Sequence, residues 1–350
     1  MPNKIKLAII GIGNAASALI QGIEYYRDPS FNKGLLFPTF AGYRISDIEI
    51  SAAFDISANK VGMALNEALK ANELKIIVNL SNQNKIVSMG VVKDGVIEET
   101  MELINPSNAP SVNISHKLRD TDTEIVLCLL PSGADEAVEF YAEQALDADC
   151  AFINATPTSI ATNKIFAKKF HDAGLPLIGD DLQDQFGATI VHKLLLQQMI
   201  DQGVEIKESY ALDVGGGAES LNTIYRTRHV KREIKSKSVA AALRVDAPIV
   251  AGTSDYVPHL GNSRNSMLWL VGRGFLGADV IMDIKIQTQD GPNGGAILVD
   301  VIRATKIALQ KSASGPINEI SSYGFKNPPE HISSPKEAGE KLAKYIMGMT

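Results

Sequence analysis

Leu7-Ala8-Ile9-Ile10-Gly11-Ile12-Gly13-Asn14-Ala15-Ala16 is an apolar run that meets a Gly-x-Gly turn and passes into a helical pattern. Strand, tight turn and helix in that order open a dinucleotide-binding α/β unit. Gly11 permits the sharp turn, and Gly13 lets the backbone approach a pyrophosphate. The helix that starts at Asn14 and Ala15 offers free N–H groups and a positive dipole end to that phosphate. Ala16 stands where the third glycine of the fingerprint usually falls. A Gly-x-Gly alone is also compatible with a plain structural turn; the apolar strand before it is what makes this one a candidate NAD site.

The next strand, Ile48–Phe54, closes on Asp55. An acidic residue there accepts hydrogen bonds from a ribose diol and favours NAD over NADP. Its alternative use is as the cap of a helix over Ser57–Leu69. A loop insertion, Pro29 to Ile45, lengthens the spacing from Gly13. Leu74–Pro110 mixes short strands with polar turns and reads as a flap or a strand pair. Glu124–Leu130 is a buried parallel-type strand that runs into Pro131-Ser132-Gly133. Helices over Asp135–Leu146 and Lys164–Ala173 alternate with strands over Ala151–Asn154 and Leu177–Gly179, as in a doubly wound sheet.

After Asp181 the pattern changes. Gly187–Gln202 is one amphipathic helix, and Glu205–Val214 is strand-like. Val280, Met282, Ile284, Ile286 and Thr288 alternate with polar residues, the mark of a half-exposed antiparallel strand. Ser266–Phe275 is its expected neighbour. Gly294–Lys311 reads as a helix returning to the first domain, and Pro335–Met347 as a terminal helix. The expected architecture is a Rossmann-type doubly wound parallel sheet (residues 1–181 plus 291–350) with an inserted α+β domain (182–290).

Composition narrows the function. The chain has 350 residues, 45% of them hydrophobic, and a net charge of −6. That balance suits a globular protein and speaks against a broad nucleic-acid surface. The two cysteines, Cys128 and Cys150, sit in apolar strand settings and read as core thiols. No metal-ligand spacing and no membrane-length apolar run occurs, and the chain enters its first strand at once, so a cytoplasmic enzyme is expected. Polar clusters follow the strands: Asn154-Ala155-Thr156-Pro157, Gly179-Asp180-Asp181, Asp213-Val214-Gly215-Gly216-Gly217 and Asp290-Gly291-Pro292-Asn293. Lys306 lies on an apolar helix. A basic group (Arg226, Arg228, His229, Lys231, Arg232, Lys235, Lys237, with Arg264 and Arg273) reads either as a phosphate pocket or as a solvated helix face.

The order of these motifs, with Gln21-Gly22-Ile23-Glu24-Tyr25-Tyr26 and Gly187-Ala188-Thr189-Ile190, resembles the prokaryotic myo-inositol-1-phosphate synthases from about residue 5 to 330. The resemblance implies tightly held NAD, a tetramer built through the inserted domain, and conversion of glucose 6-phosphate to an inositol phosphate. NAD oxidises C5, the ketone acidifies C6, an enolate attacks C1, and the ketone is reduced back. It places NAD against Gly11, Gly13, Asn14, Ala15 and Asp55, with Ser132, Asn154 and Asp180 on the cofactor side. Lys306, Asp181 and Asp290 are then the catalytic candidates, and Arg232, Lys235, Arg264, Thr156 and Asn222 bind substrate and its phosphate. The chain departs from the family's lysines. Counting from Gly215-Gly216 puts two of them on Arg232 and Ser236, with Lys235 and Lys237 as substitutes if the register shifts. Another falls on Gln183 and another on Arg264, and Gly217-Ala218-Glu219 replaces an Asn-x-Asp. Arginine stays charged and is a poor proton shuttle. Two other readings therefore stay open: a divergent NAD-dependent oxidoreductase, epimerase or cyclase on another sugar or polyol, and a silent NAD-binding regulator.

Overall fold

The computed structural model describes residues 4–243, 246–332 and 334–348. Its strands are β1 (Ile5–Ile10), β2 (Thr39–Phe40), β3 (Tyr43–Arg44), β4 (Ile48–Asp55), β5 (Val87–Met89), β6 (Ile125–Cys128) and β7 (Ala151–Asn154). Further along come β8 (Pro176–Ile178), β9 (Glu205–Gly215), β10 (Ile249–Tyr256), β11 (Ser263–Arg273), β12 (Asp279–Gln289) and β13 (Gly315–Pro316). Seven of them form one sheet in the order β13-β8-β7-β6-β1-β4-β5. Its neighbouring pairs are parallel. The order reverses at β1, which pairs with both β4 and β6, so the crevice for a ligand opens at the carboxyl end of β1.

Period-two patterning divides β1 between two cores. Leu7 and Ile9 join the helices Asn14–Tyr25 and Asp290–Gln310 on one face. Ala8 and Ile10 join Val138, Tyr141 and Phe170 on the other. The two helices of the first face lie unusually close. A Cβ on Gly291 would stand 2.9 Å from the Asn14 carbonyl oxygen, so only glycine fits there.

The second sheet has the order β10-β9-β11-β12. β9 and β10 run parallel; β11 is antiparallel to both β9 and β12, with Leu268 opposite Ile284. Its inner face carries Ala211, Ala251, Leu268 and Leu270 against Leu196 and Val239 of the helices Ala188–Asp201 and Arg228–Leu243. Its outer face holds the half-exposed Val250, Tyr210 and Met267 and a stacked Tyr210–Trp269 pair. The chain leaves the seven-stranded sheet after β8 and returns to it directly from β12, through the helix that begins at Asp290.

Three local expectations are corrected. Ser57–Leu69 is not a helix: Asp55 Oδ1 accepts from the Ile56 and Ser57 N–H groups at 2.8 and 2.9 Å, and α-helix forms only over Leu65–Ala68. That tight turn satisfies locally the donors a helix would need capped. The Pro29–Ile45 insertion contains the hairpin β2–β3 and is stapled from beneath. Buried Arg303 donates to the Phe37 and Tyr43 carbonyls at 2.7 and 3.2 Å while pairing with Asp300. The returning helix starts at Asp290 rather than Gly294, since Pro292 is tolerated in a first turn. No helix among the described residues is long and apolar enough to cross a membrane.

Replacing Arg303 with Met leaves Asp300 buried without its cation. Urea denaturation should report a loss of about 3 kcal/mol; a loss below about 1 kcal/mol would show that the insertion holds without the staple.

Candidate active site

A single cavity of about 480 Å³ runs from the β1 turn to the inner end of the second sheet. One end is the cleft at the Gly-x-Gly turn. Gly11 has φ +88°, and a Cβ there would stand 2.8 Å from the Leu129 carbonyl oxygen, so the turn demands glycine. A Cβ on Gly13 would meet nothing within 4 Å, which leaves the first amides of the Asn14–Tyr25 helix open to the cleft. Gly11, Gly13, Asn14, Ala15 and Asp55 all line it. Asp55 Oδ2 accepts from the Ile12 N–H at 2.8 Å. Lys60, absent from the sequence reading, donates to the Ile12 carbonyl at 2.7 Å and stands 3.7 Å from Asp55 Oδ2. The Asn14 amide is tied to the 72–74 segment, donating to Glu73 Oε2 at 3.1 Å and accepting from the Leu74 N–H at 3.0 Å.

The other end is a network of charges brought from seven segments of the chain. Asp181, at φ +62°, follows the end of β8. Its Oδ1 receives Lys231 Nζ at 2.7 Å and Lys326 Nζ at 3.3 Å, while its Oδ2 has no partner. Lys231 also reaches Glu219 at 3.3 Å. Asp213, near the end of β9, pairs with Lys235 and accepts from Ser266 Oγ at 2.6 Å. Arg264 grips Asp290 through Nε at 2.8 Å and Nη2 at 2.6 Å, with Asp213 3.8 Å from its Nη1. Lys231 and Lys235 sit one helical turn apart on the Arg228–Leu243 helix and so share its inward face.

These pairings set the proton affinities. Burial raises the Asp213 carboxyl, but Lys235 and Arg264 outweigh it and hold the group at about 2. Burial is likewise overcome at Asp181 by Lys231 and Lys326, which keep it below the ordinary carboxylate value. Burial opposes the charge on Lys231, yet Asp181 and Glu219 hold its ammonium above the usual range. Lys326 goes the other way. Burial lowers it, and the repulsion of Lys231 and Lys235 adds to that, against the attraction of Asp181.

Among the residues expected in the site, Asp181, Asp290, Lys235, Arg264, Thr156 and Asn222 line this cavity. Asn222 Oδ1 is buried there without a hydrogen-bond donor. Five others do not line it. Lys306 pairs with Glu124, whose other oxygen accepts from the Lys6 N–H at the amino end of the sheet, opposite to the cavity. Arg232 is exposed, its stem against Gly252 of β10; the inward register belongs to Lys231, one residue earlier. Asp180 is a peg behind the wall. It accepts from the N–H groups of Ile160, Ala161 and Thr162 at 3.0–3.1 Å and from Asn154 Nδ2 at 2.7 Å, and burial lifts its carboxyl to about 6. Asn154 is spent on Asp180 and the Thr158 carbonyl. The Ser132 N–H donates to Glu219 at 2.9 Å.

Lys231, Lys326, Asp184 and Glu219 also line the cavity and were not among the residues assigned to the site from the sequence. The four-residue spacing of Lys231 and Lys235 was available as a signal. Nothing local marks Lys326. It reaches the site because its N–H donates to the Asp181 carbonyl at 2.7 Å, and Asn327 pairs with Asp180.

Two outcomes follow. A depressed carboxylate contributes stability that is full above its unfolded value and is lost as pH falls through its folded one. Asp213→Asn should therefore cost about 3 kcal/mol at neutral pH, by stranding Lys235, and flatten the acid loss of stability between about pH 4 and 2. Chemical denaturation at several pH values checks both. Lys306→Ala should leave NAD affinity and turnover within a few-fold; a collapse of turnover with the fold intact would return Lys306 to the site.

A family model for myo-inositol-1-phosphate synthase matches residues 187–291. The inositol-3-phosphate synthase of Mycolicibacterium smegmatis is 35% identical, covering 99% of this chain and 98% of its own. That of Corynebacterium glutamicum is 37% identical, covering 98% of each. The crystal structure of Ari2 superposes with a TM-score of 0.79 at 30% identity, over 99% of this chain and 100% of that one. An inositol-3-phosphate synthase from Caenorhabditis elegans shares the fold at 13% identity, with a TM-score of 0.77 over 100% of this chain and 86% of its own. With identity above one third over nearly its whole length, the chain belongs to the myo-inositol-1-phosphate synthase family.

Proposed function

We propose that the chain is an NAD-dependent isomerase that converts glucose 6-phosphate to myo-inositol 1-phosphate without net redox change. One observation carries this reading: the dinucleotide cleft and the lysine–aspartate network line the same cavity, so hydride and proton chemistry share one space. The cleft fits NAD. Open space stands above Gly13, the helix amides are uncapped, and Asp55 ends β4. When bound there, NAD supplies reversible acceptance of the C5 hydride.

The other roles fall to side chains. Lys235 and Arg264 offer fixed positive charge to the phosphate, and Asn222 Oδ1 accepts from a sugar hydroxyl. Lys231, held strongly protonated, faces the negative charge that grows on the C5 oxygen during enolisation. Lys326, the lysine of this network whose proton affinity is lowered, takes the proton from C6. Arg264 stands where the family pattern carries a lysine. That substitution favours, as a second reading, a cyclase or oxidoreductase acting on a different sugar or polyol. The outer face of the second sheet, with Tyr210, Val250, Met267 and Ile281 exposed, is on this reading the surface through which copies assemble.

Incubation of the purified chain with NAD⁺ and glucose 6-phosphate is the test. Inositol phosphate should form without NADH accumulating. NADH build-up confined to other sugars or polyols would select the second reading. NAD binding with no turnover on any sugar phosphate or polyol would leave neither.

A further inference from the structure

Asp184 is the odd member of the charged network. It lines the cavity, and its carboxyl packs against Gly187 at the start of the Ala188–Asp201 helix, where a Cβ on Gly187 would stand 2.6 Å from Asp184 Oδ2. The other carboxylates at this end are each in an ion pair: Asp181 and Glu219 with Lys231, Asp213 with Lys235, Asp290 with Arg264. Among the described residues Asp184 is in none. Among the described residues no donor hydrogen-bonds to its carboxyl, whereas Asp213 and Asp290 are fully engaged. The groups that face it are Asp290 from the returning helix, Arg264 from β11, Lys235 from the Arg228–Leu243 helix and Lys326.

We propose that Asp184 is a second proton-carrying catalytic residue of this cavity, working opposite Lys326. The proposal rests on the cyclisation reading and adds a group to it. The chemistry needs both a base at C6 and an acid at O1. Lys231 is too firmly charged to give up a proton, Arg264 does not exchange one, and Asp213 and Asp181 are held as carboxylates. Asp184 differs: burial, reinforced by Asp290, raises its carboxyl above the ordinary value, against the pull of Lys326, Arg264 and Lys235. A half-buried carboxyl with raised proton affinity beside a lysine made less basic suits an acid–base pair.

The step balances as follows. Neutral Lys326 takes the C6 proton, leaving the enolate of the C5 ketone. The enolate pair forms the C6–C1 bond and restores the C5 carbonyl. The π pair of the C1 aldehyde moves on to O1, which takes the proton of the Asp184 carboxyl. Transfer from the Lys326 ammonium to the Asp184 carboxylate then resets both groups, with no oxidant, reductant or proton left over.

The test uses the full-length chain loaded with NAD, as Asp184→Asn and Asp184→Glu. The Asn variant should bind NAD within a few-fold of the parent and lose turnover on glucose 6-phosphate by about 100-fold or more. Because Asp184 acts as the acid, the parent's kcat falls as pH rises through its titration. That limb should vanish in the Asn variant, and the Glu variant should recover part of the rate. Turnover of Asp184→Asn within about three-fold of the parent, with the same alkaline limb, overturns the proposal. The infrared difference spectrum of parent minus Asp184→Asn, recorded without substrate, gives a separate readout. A protonated-carboxyl band is expected at a pH just above the ordinary carboxylate range, and it should fade as the pH is raised further. Its absence at the lower pH overturns the proposal whatever the substrate. A parent chain that cyclises no glucose 6-phosphate yet shows the band removes the cyclisation reading and leaves Asp184 as the acid for whichever substrate the chain turns over.

Discussion

One carboxylate oxygen holds the site together. Asp181 Oδ1 receives Lys231 at 2.7 Å and Lys326 at 3.3 Å. The three residues come from the end of the seven-stranded sheet, from the helix packed under the second sheet, and from the segment that follows the Asn318–Gly324 helix. The pairing is buried, and removing one member of a buried ion pair costs far more than the pair contributes net. The chain therefore has to bring all three segments together before the charges are satisfied. That requirement ties the second sheet to the carboxyl end of the first.

The same constraint explains why the cavity is polar without being strongly cationic. Lys231, Lys235, Lys326 and Arg264 face Asp181, Asp184, Asp213, Asp290 and Glu219 around one space. Each cation is supplied with a carboxylate, so a phosphorylated ligand must compete with internal partners rather than fall into a bare positive well. Such a site discriminates by geometry more than by bulk attraction. It also separates the roles of its groups. Those with tight partners keep a constant charge and serve as fixed electrostatics, whereas Lys326 stands 3.3 Å from Asp181 and Asp184 lies outside the ion pairs.

The Rossmann half was legible because its signals are local. An apolar strand, Gly11 and Gly13, and the Asp55 strand end are separate short patterns, and each needs only its own backbone to be read. The alternation from Val280 to Thr288 likewise appears as the half-buried strand β12, with Ser263–Arg273 beside it. The site was legible in part. Asp181 and Asp290 were marked by their place at strand ends, which are also the points where the chain enters and leaves the second sheet. Lys306 was misplaced because an apolar helix surround says that a lysine is inward, not which end of the sheet it faces. Glu124 decided that, and it lies 182 residues away in sequence. Arg232 was misplaced by one position, which on a helix is a rotation of about 100°. That is enough to send the guanidinium to solvent and Lys231 to Asp181.

By itself the sequence determined the fold class, the Gly-x-Gly turn and the two sheets, because these depend on short-range periodicity and on glycine's backbone freedom; the order of its motifs along the chain pointed to the family. Tertiary structure alone decided which charges meet. The pairing of Lys326 with Asp181, the release of Asp180 to a purely structural task and the unpaired state of Asp184 all arise where distant segments converge. Charge energies depend on distances and burial that no local pattern encodes.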